Sequence, residues 1–298
     1  MFTTPAPPFD VAAVLPEVAP FARSTVRLHP RAGSPTVEQS SMGGPLLWPA
    51  DEPWPLCDGP ELYDHYPDAP AEAAVPLVPI LQLLADDLPE LPFPAGTDLL
   101  QVLWCPFDHD PWCAPRPQMR WRRRADIRPG RQLVPAPDAN ADPRRIPAPC
   151  ALHPERVVEY PSNDLPRSVR DQIRDTVERI ERETGWHYDF HLSVASGTKV
   201  GGYPGWIQFP DWPDCECGAT MEHLVTVTGW EFSRGDDKRW ITVEDRPAMA
   251  GWDGSPEDHP FHSRQNPTGM MIGDGGGIYV FVCLNCPDRP FDYRFDNS

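Results

Sequence analysis

Residues 201–215 read GGYPGWIQFPDWPDC, and residues 43–57 read GGPLLWPADEPWPLC. The two stretches align without gaps and share six identities: two Gly, two Trp, one Pro and the closing Cys. Each is followed by an apolar run that closes on cysteine, LLQVLWC at 99–105 and GIYVFVC at 277–283. Two separate elements recurring in the same order point to an internal repeat, each copy having a Gly-Gly turn, an aromatic loop and a closing strand. Chance similarity of two stretches rich in Trp and Pro is the competing explanation, and the matched order weighs against it.

The repeat places a first half at 1–150 and a second at 151–298, with the Pro-rich stretch 133–149 as the boundary; the halves are two packed copies or one continuous domain. A chain of 298 residues can bury one large core or two moderate ones, and 40% hydrophobic residues with 11 Trp supply the apolar surface. The 41 Pro and 21 Gly make up about a fifth of the chain, against roughly 12% in average usage. Proline removes a backbone donor and breaks helix interiors, so helices should be few, strands short and connections irregular. The expected class is α+β: mixed or antiparallel sheets in a pseudo-duplicated arrangement, loop-rich.

One segment reads as a helix, 164–184, where Leu165, Val169, Ile173, Val177 and Ile180 fall on one stripe. Pro166 suits its first turn and Gly185 the position after its end. Strands are expected at 24–29, 75–84, 99–105, 118–124, 188–194, 222–232 and 277–283, from alternating or wholly apolar patterns between Gly, Pro and Asp. GDGGGIYV at 273–280 leads into β-branched and aromatic residues instead of a helix, which makes it a hairpin turn and not a phosphate cradle.

The net charge is −18, from 26 basic and 44 acidic residues. A field of that sign repels nucleic acid and anionic membranes and attracts cationic proteins, so a macromolecular client should be basic. Seven arginines between Arg116 and Arg131 are the local exception. On a strand, Arg120, Arg122 and Arg124 share a face, and pairing with the protein's own acidic surface is favoured over an RNA or acidic-peptide grip. The N-terminal stretch has no charged leader and is interrupted by prolines, and no run approaches eighteen apolar residues. The expectation is no membrane span and a reducing, cytoplasmic compartment.

In such a compartment, paired cysteine spacings indicate metal before disulfide. Cys215-Glu216-Cys217-Gly218 and Cys283-Leu284-Asn285-Cys286 supply four thiols. Four thiolates suit one tetrahedral zinc ion in a closed, structural site. Independent reduced cysteines, a disulfide and an iron-sulfur centre are the alternatives. The stretch between the pairs is too long for a simple finger, so the metal would staple distant parts of a sheet domain. The first half retains Cys57 and Cys105, but Gly59 stands where the second thiol of the tight pair would fall. They read as buried remnants of a lost site; a second metal site built from Cys57, Cys105, Cys113 and either His65 or His109 is the alternative.

Catalytic motifs are scarce. In TGWHYDFHLS (184–193), a strand would set His187, Asp189 and His191 on one face. Two imidazoles flanking a carboxylate can hold a catalytic metal or move protons, which supports a rival reading as a metal-dependent hydrolase or nucleic-acid-processing enzyme. A half-buried strand with a merely solvated polar face is the favoured explanation. Trp48, Trp54, Trp206 and Trp212 are candidate anchors for a protein client, with core packing inside each copy as the equal alternative.

The Gly-Gly-Pro turn feeding Trp-Pro, then VPLVPILQLLADDLPELPFPAGTDLLQVLWCPFDHD at 75–110, resembles the YwqG-like family of bacterial proteins, which pairs an LxxLxQL strand with an LPxxGxLQxF strand. VGGYPGWIQ at 200–208, CECG at 215–218 and MIGDGGGIYVFVCLNC at 271–286 extend the resemblance over roughly residues 20 to 290. That family is similar to eukaryotic programmed-cell-death-protein-2-like chaperones of a ribosomal protein. The resemblance implies protein-protein interaction, as a chaperone or an immunity-type binder of a basic client, and brings no catalytic residues. The cysteine pairs and the Arg-rich and Pro-rich middle depart from the simpler bacterial pattern.

Overall fold

A computed structural model describes residues 2–57, 75–128, 134–236, 238–249, 260–273 and 275–297. The strands of the first half are β1 (Arg23–Arg27), β2 (Arg31–Ala32), β3 (Ser41–Met42), β4 (Leu56–Cys57), β5 (Val75–Pro76), β6 (Val78–Leu84), β7 (Leu99–His109) and β8 (Ala114–Arg122). Those that follow are β9 (Cys150–Ala151), β10 (Glu155–Glu159), β11 (Lys199–Gly201), β12 (Glu222–Thr228), β13 (Gly277–Val282) and β14 (Phe291–Asp296). The class is α+β: antiparallel sheets, few helices and long irregular connections.

Two six-stranded sheets run β2-β9-β3-β6-β7-β8 and β10-β1-β11-β12-β13-β14, and β4 pairs with β5 alone. Replacing β1, β2, β3, β6, β7 and β8 by β9, β10, β11, β12, β13 and β14, and the reverse, turns one order into the other. The register repeats as well. Val26 lies opposite Val200 as Cys150 lies opposite Met42, and the irregularity between Pro79 and Leu81 recurs between His223 and Val225. The first strand of each set completes the other set's sheet, since β1 sits between β10 and β11 while β9 sits between β2 and β3.

The strand period of two distributes the core. On β7, Leu100, Val102 and Trp104 face a cluster shared with Ile278, Val280 and Val282 of β13, which joins the two sheets face to face. The alternate residues face outward under loops: Leu103, Cys105 and Phe107 meet Trp48 and Trp54, while Tyr279, Phe281 and Cys283 meet Trp206 and Cys215. Both faces of β7 and β13 are therefore covered, which is why these strands read as unbroken apolar runs.

The helix runs Arg167–Thr184, and Gly185 ends it at φ 68° with its N–H donating to the Glu181 carbonyl. Ile173 and Ile180 pack with Val11, Leu15 and Val18 from the N-terminal segment. The strand expected at 188–194 is instead one π-helical turn, Tyr188–Leu192. The Ser193 N–H donates to the Tyr188 carbonyl at 2.9 Å, and Tyr188 and Leu192, four residues apart, are both buried beside the helix. Alternating residues satisfied a strand pattern, but burial at positions four apart is what a helical turn needs. Among the described residues, no helix is long and apolar enough to cross a membrane.

Candidate metal centre

Cys215, Cys217, Cys283 and Cys286 converge, with all four sulfur atoms within 4.8 Å of one another. The first pair sits in a tight turn closed by the Asp214–Thr220 bridge. Within it the Cys215 N–H donates to the Ala219 carbonyl and the Gly218 N–H to the Cys215 carbonyl, both at 2.8 Å. Gly218 takes φ 84°, a left-handed conformation that turns the chain back behind the sulfurs. Cys283 directly follows β13, and its N–H donates to the Pro290 carbonyl at 2.9 Å. Arg289 ties the second pair by donating its guanidinium to the Leu284 and Cys286 carbonyls.

Cys215 Sγ lies 3.8 Å from Cys286 Sγ, and Cys217 Sγ lies 3.5 Å from Cys283 Sγ. A metal–sulfur bond of about 2.3 Å places sulfurs at tetrahedral vertices roughly 3.8 Å apart, whereas a disulfide needs about 2.05 Å. The cluster is thus sized to hold a metal ion. Cys215 and Cys283 are buried, Cys286 is half-buried and Cys217 faces solvent. Desolvation pushes the Cys283 thiol up, but N–H groups of Cys286 and Asn285 and the neighbouring thiols outweigh it and hold it at about 7. Trp206, Met221, Tyr279 and Phe281 floor the site, with Trp212 at its edge.

The first copy has a related cluster. Cys57, Cys105 and His109 are all buried, with their ligand atoms within 4.8 Å of one another. Cys113 is not part of that group, and His65 and Gly59 lie outside the described residues.

The strand expected to set His187, Asp189 and His191 on one face is replaced by the π-turn. His187 Nδ1 approaches Glu181 at 3.2 Å, Asp189 accepts from the Ser162 hydroxyl at 2.8 Å, and His191 Nδ1 accepts from the His187 backbone N–H at 2.9 Å. The two imidazoles stay close, with ring centroids 5.6 Å apart, but the carboxylate is engaged by Ser162 and Arg170. A single polar face needs the strand period, and the turn has removed it.

Trp48, Trp54 and Trp206 are buried, and Trp212 is half-buried. Trp54 donates to the Leu77 carbonyl at 2.8 Å and Trp212 to the Asp164 carboxylate at 2.6 Å. The outward aromatic of the second loop is Phe209, 92% exposed, with Ile207 beside it. In the Arg-rich strand, Arg122 makes a two-pronged pair with Glu52 at 2.7 Å and lies over the Trp48 ring, while Arg124 binds Asp86 and Asp98.

Sequence reading missed a buried ionic group behind the second Gly-Gly turn. Lys199 Nζ donates to both Glu159 carboxylate oxygens at 3.0 and 2.7 Å, and the same carboxylate accepts from the backbone N–H groups of Ala195 and Tyr203. Burial lowers the Lys199 pKa, and the Glu159 charge opposes that shift. Gly202 is fixed by this arrangement, because at φ 70° an added Cβ would fall 1.9 Å from Glu159 Oε1. The available signal was a lone lysine before the Gly-Gly pair. Compared with known proteins, the chain matches no family model and no curated protein.

Proposed function

We propose that the protein is a non-enzymatic protein-interaction module, stapled by a structural zinc ion at Cys215, Cys217, Cys283 and Cys286, that binds a basic protein client. The observation that carries the reading is the closure of the four-sulfur cluster, in which every tetrahedral position is taken by a thiol of the chain. Such a site has no vertex left for water or substrate and acts by holding structure together. It joins the 215–217 turn to the end of β13, fixing the aromatic loop against the sheet.

The client reading draws on the net charge of −18, which speeds encounter with cationic partners and discriminates against anionic ones. It also draws on the resemblance to the YwqG-like family. With the tryptophans packed inward, Phe209 and Ile207 become the contact residues of the proposal, presented on a loop whose Ile207 and Gln208 N–H groups donate to Asp296. Affinity capture from native extract across a salt series, with wild type and Phe209→Ser in parallel, tests it. We expect one basic protein enriched at low salt, lost as salt rises, and at least tenfold depleted with the variant. Equal enrichment by both proteins, or no enrichment of basic proteins, would overturn the reading.

A further inference from the structure

We propose that Cys57, Cys105 and His109 form a second metal site, for a zinc-class divalent ion held by two thiolates and one imidazole. Cys57 ends the first aromatic loop as Cys215 ends its aligned stretch of the second, and Cys105 lies on β7 where Cys283 follows β13. The alternation of each strand sets Cys105 and Cys283 on the outer face of their sheets, where they pack with Cys57 and Cys215 under the tryptophans of their own loops. Two of the four ligand positions of the established cluster therefore have direct counterparts.

His109 supplies the third donor through a deformation of the strand. In a regular strand, residues four apart are about 13 Å apart along the chain direction. That spacing would keep the His109 ring from the Cys105 sulfur. The β7–β8 pairing shifts between Trp104 and Asp108, so Cys105, Pro106 and Phe107 lie opposite the single residue Arg116. This bulge shortens the path and aims both side chains at Cys57. His109 Nε2 comes to 3.7 Å from Cys57 Sγ. Bonds of about 2.3 Å to sulfur and 2.1 Å to nitrogen put tetrahedral S and N vertices roughly 3.6 Å apart.

All three side chains are buried, and two thiols with an imidazole match the donor set that zinc prefers. A tetrahedral ion held by three protein donors has a fourth position for a further donor. It should consequently exchange faster than the ion in the four-thiolate site.

Metal counting on the intact protein tests this without an activity assay. Wild type purified in the presence of zinc and passed through a desalting column should hold two equivalents. His109→Ala and Cys57→Ser should each hold one, retained at the four-cysteine site. A Cys217→Ser/Cys286→Ser variant should also hold one, and replacing that ion with Co2+ should give thiolate charge-transfer absorption at about one third of the wild-type intensity, since two thiolate ligands remain out of six. The wild-type count does not depend on whether any variant folds. A single equivalent in wild type, lost in Cys217→Ser/Cys286→Ser, would refute the second site and leave the structural staple standing. Two equivalents persisting in both His109→Ala and Cys57→Ser would refute it as well.

Discussion

His223 lies fully buried on β12 with Nδ1 donating to the Gly201 carbonyl at 3.0 Å and Nε2 accepting from the Thr226 hydroxyl at 2.9 Å. Desolvation, reinforced by the nearby Lys199 charge, lowers its pKa to about 3. His29 is lowered to about 4, chiefly by desolvation, although Glu155 pulls it the other way. Both imidazoles are neutral in the fold and take up protons near 6.5 when unfolded. The unfolded state then binds more protons, and stability falls as pH drops below about 6.5. Glu231 acts in the opposite sense. Burial raises its carboxyl to about 7, so its contribution is present below the unfolded value and is lost as pH rises through 7. Comparing wild type with His223→Gln isolates one group. Between pH 7 and 4.5 the wild-type advantage in unfolding free energy should shrink by about 2–3 kcal/mol, at roughly 1.4 kcal/mol per pH unit. Denaturant titrations at both pH values measure it, and a pH-independent difference would remove His223 from the account. None of these groups was singled out by sequence. A charge in a strand pattern gives no sign of its burial until the neighbouring strand is known.

At the scale of elements, the long apolar strands and the helix were legible because each repeats a period over several residues. Leu99–His109, Glu222–Thr228, Gly277–Val282 and Arg167–Thr184 all fall within a few residues of the expected positions. The two-residue strands β2, β3 and β9 were not, since two residues carry no period and their pairing is set by distant chain. The turn at Tyr188–Leu192 was misread because its alternation fits two geometries. The Gly-Gly turn at 201–202 and the cysteine turn ending at Gly218 were both legible as turns, but the reason for each glycine differs. Gly202 combines φ 70° with a Cβ position inside the Glu159 carboxylate, whereas Gly218 has φ 84° and open space around it. Gly202→Ala should therefore cost more than about 3 kcal/mol, from lost left-handed backbone freedom plus displacement of a buried ion pair. Gly218→Ala should cost only about 1–2 kcal/mol. Equal shifts in unfolding midpoint would show that the Glu159–Lys199 pair is not what fixes Gly202.

For the whole molecule, the repeat at 43–57 and 201–215 was readable, but the exchange of β1 and β9 between sheets was not. Strand partnership across more than a hundred residues leaves no local pattern in sequence. Its consequence is mechanical, because each sheet lacks its strand next to β3 or β11 unless both halves are present. Splitting the chain in the 134–149 connection should give two fragments that each lack a cooperative thermal transition, while an equimolar mixture regains one. Independent cooperative melting of either fragment would count against interlocking. The four-cysteine cluster was legible both in its residues and in its joining of the aromatic loop to the last apolar strand. The geometry adds the convergence of the four sulfurs to within 4.8 Å of one another.

The most direct test of that staple is zinc content and thermal unfolding of Cys217→Ser/Cys286→Ser beside wild type. Structural zinc contributes its binding free energy to folding, so the variant should lose one equivalent of zinc and melt roughly 10 °C or more lower. Unchanged zinc content, or an unchanged melting temperature after that zinc is lost, would contradict the account.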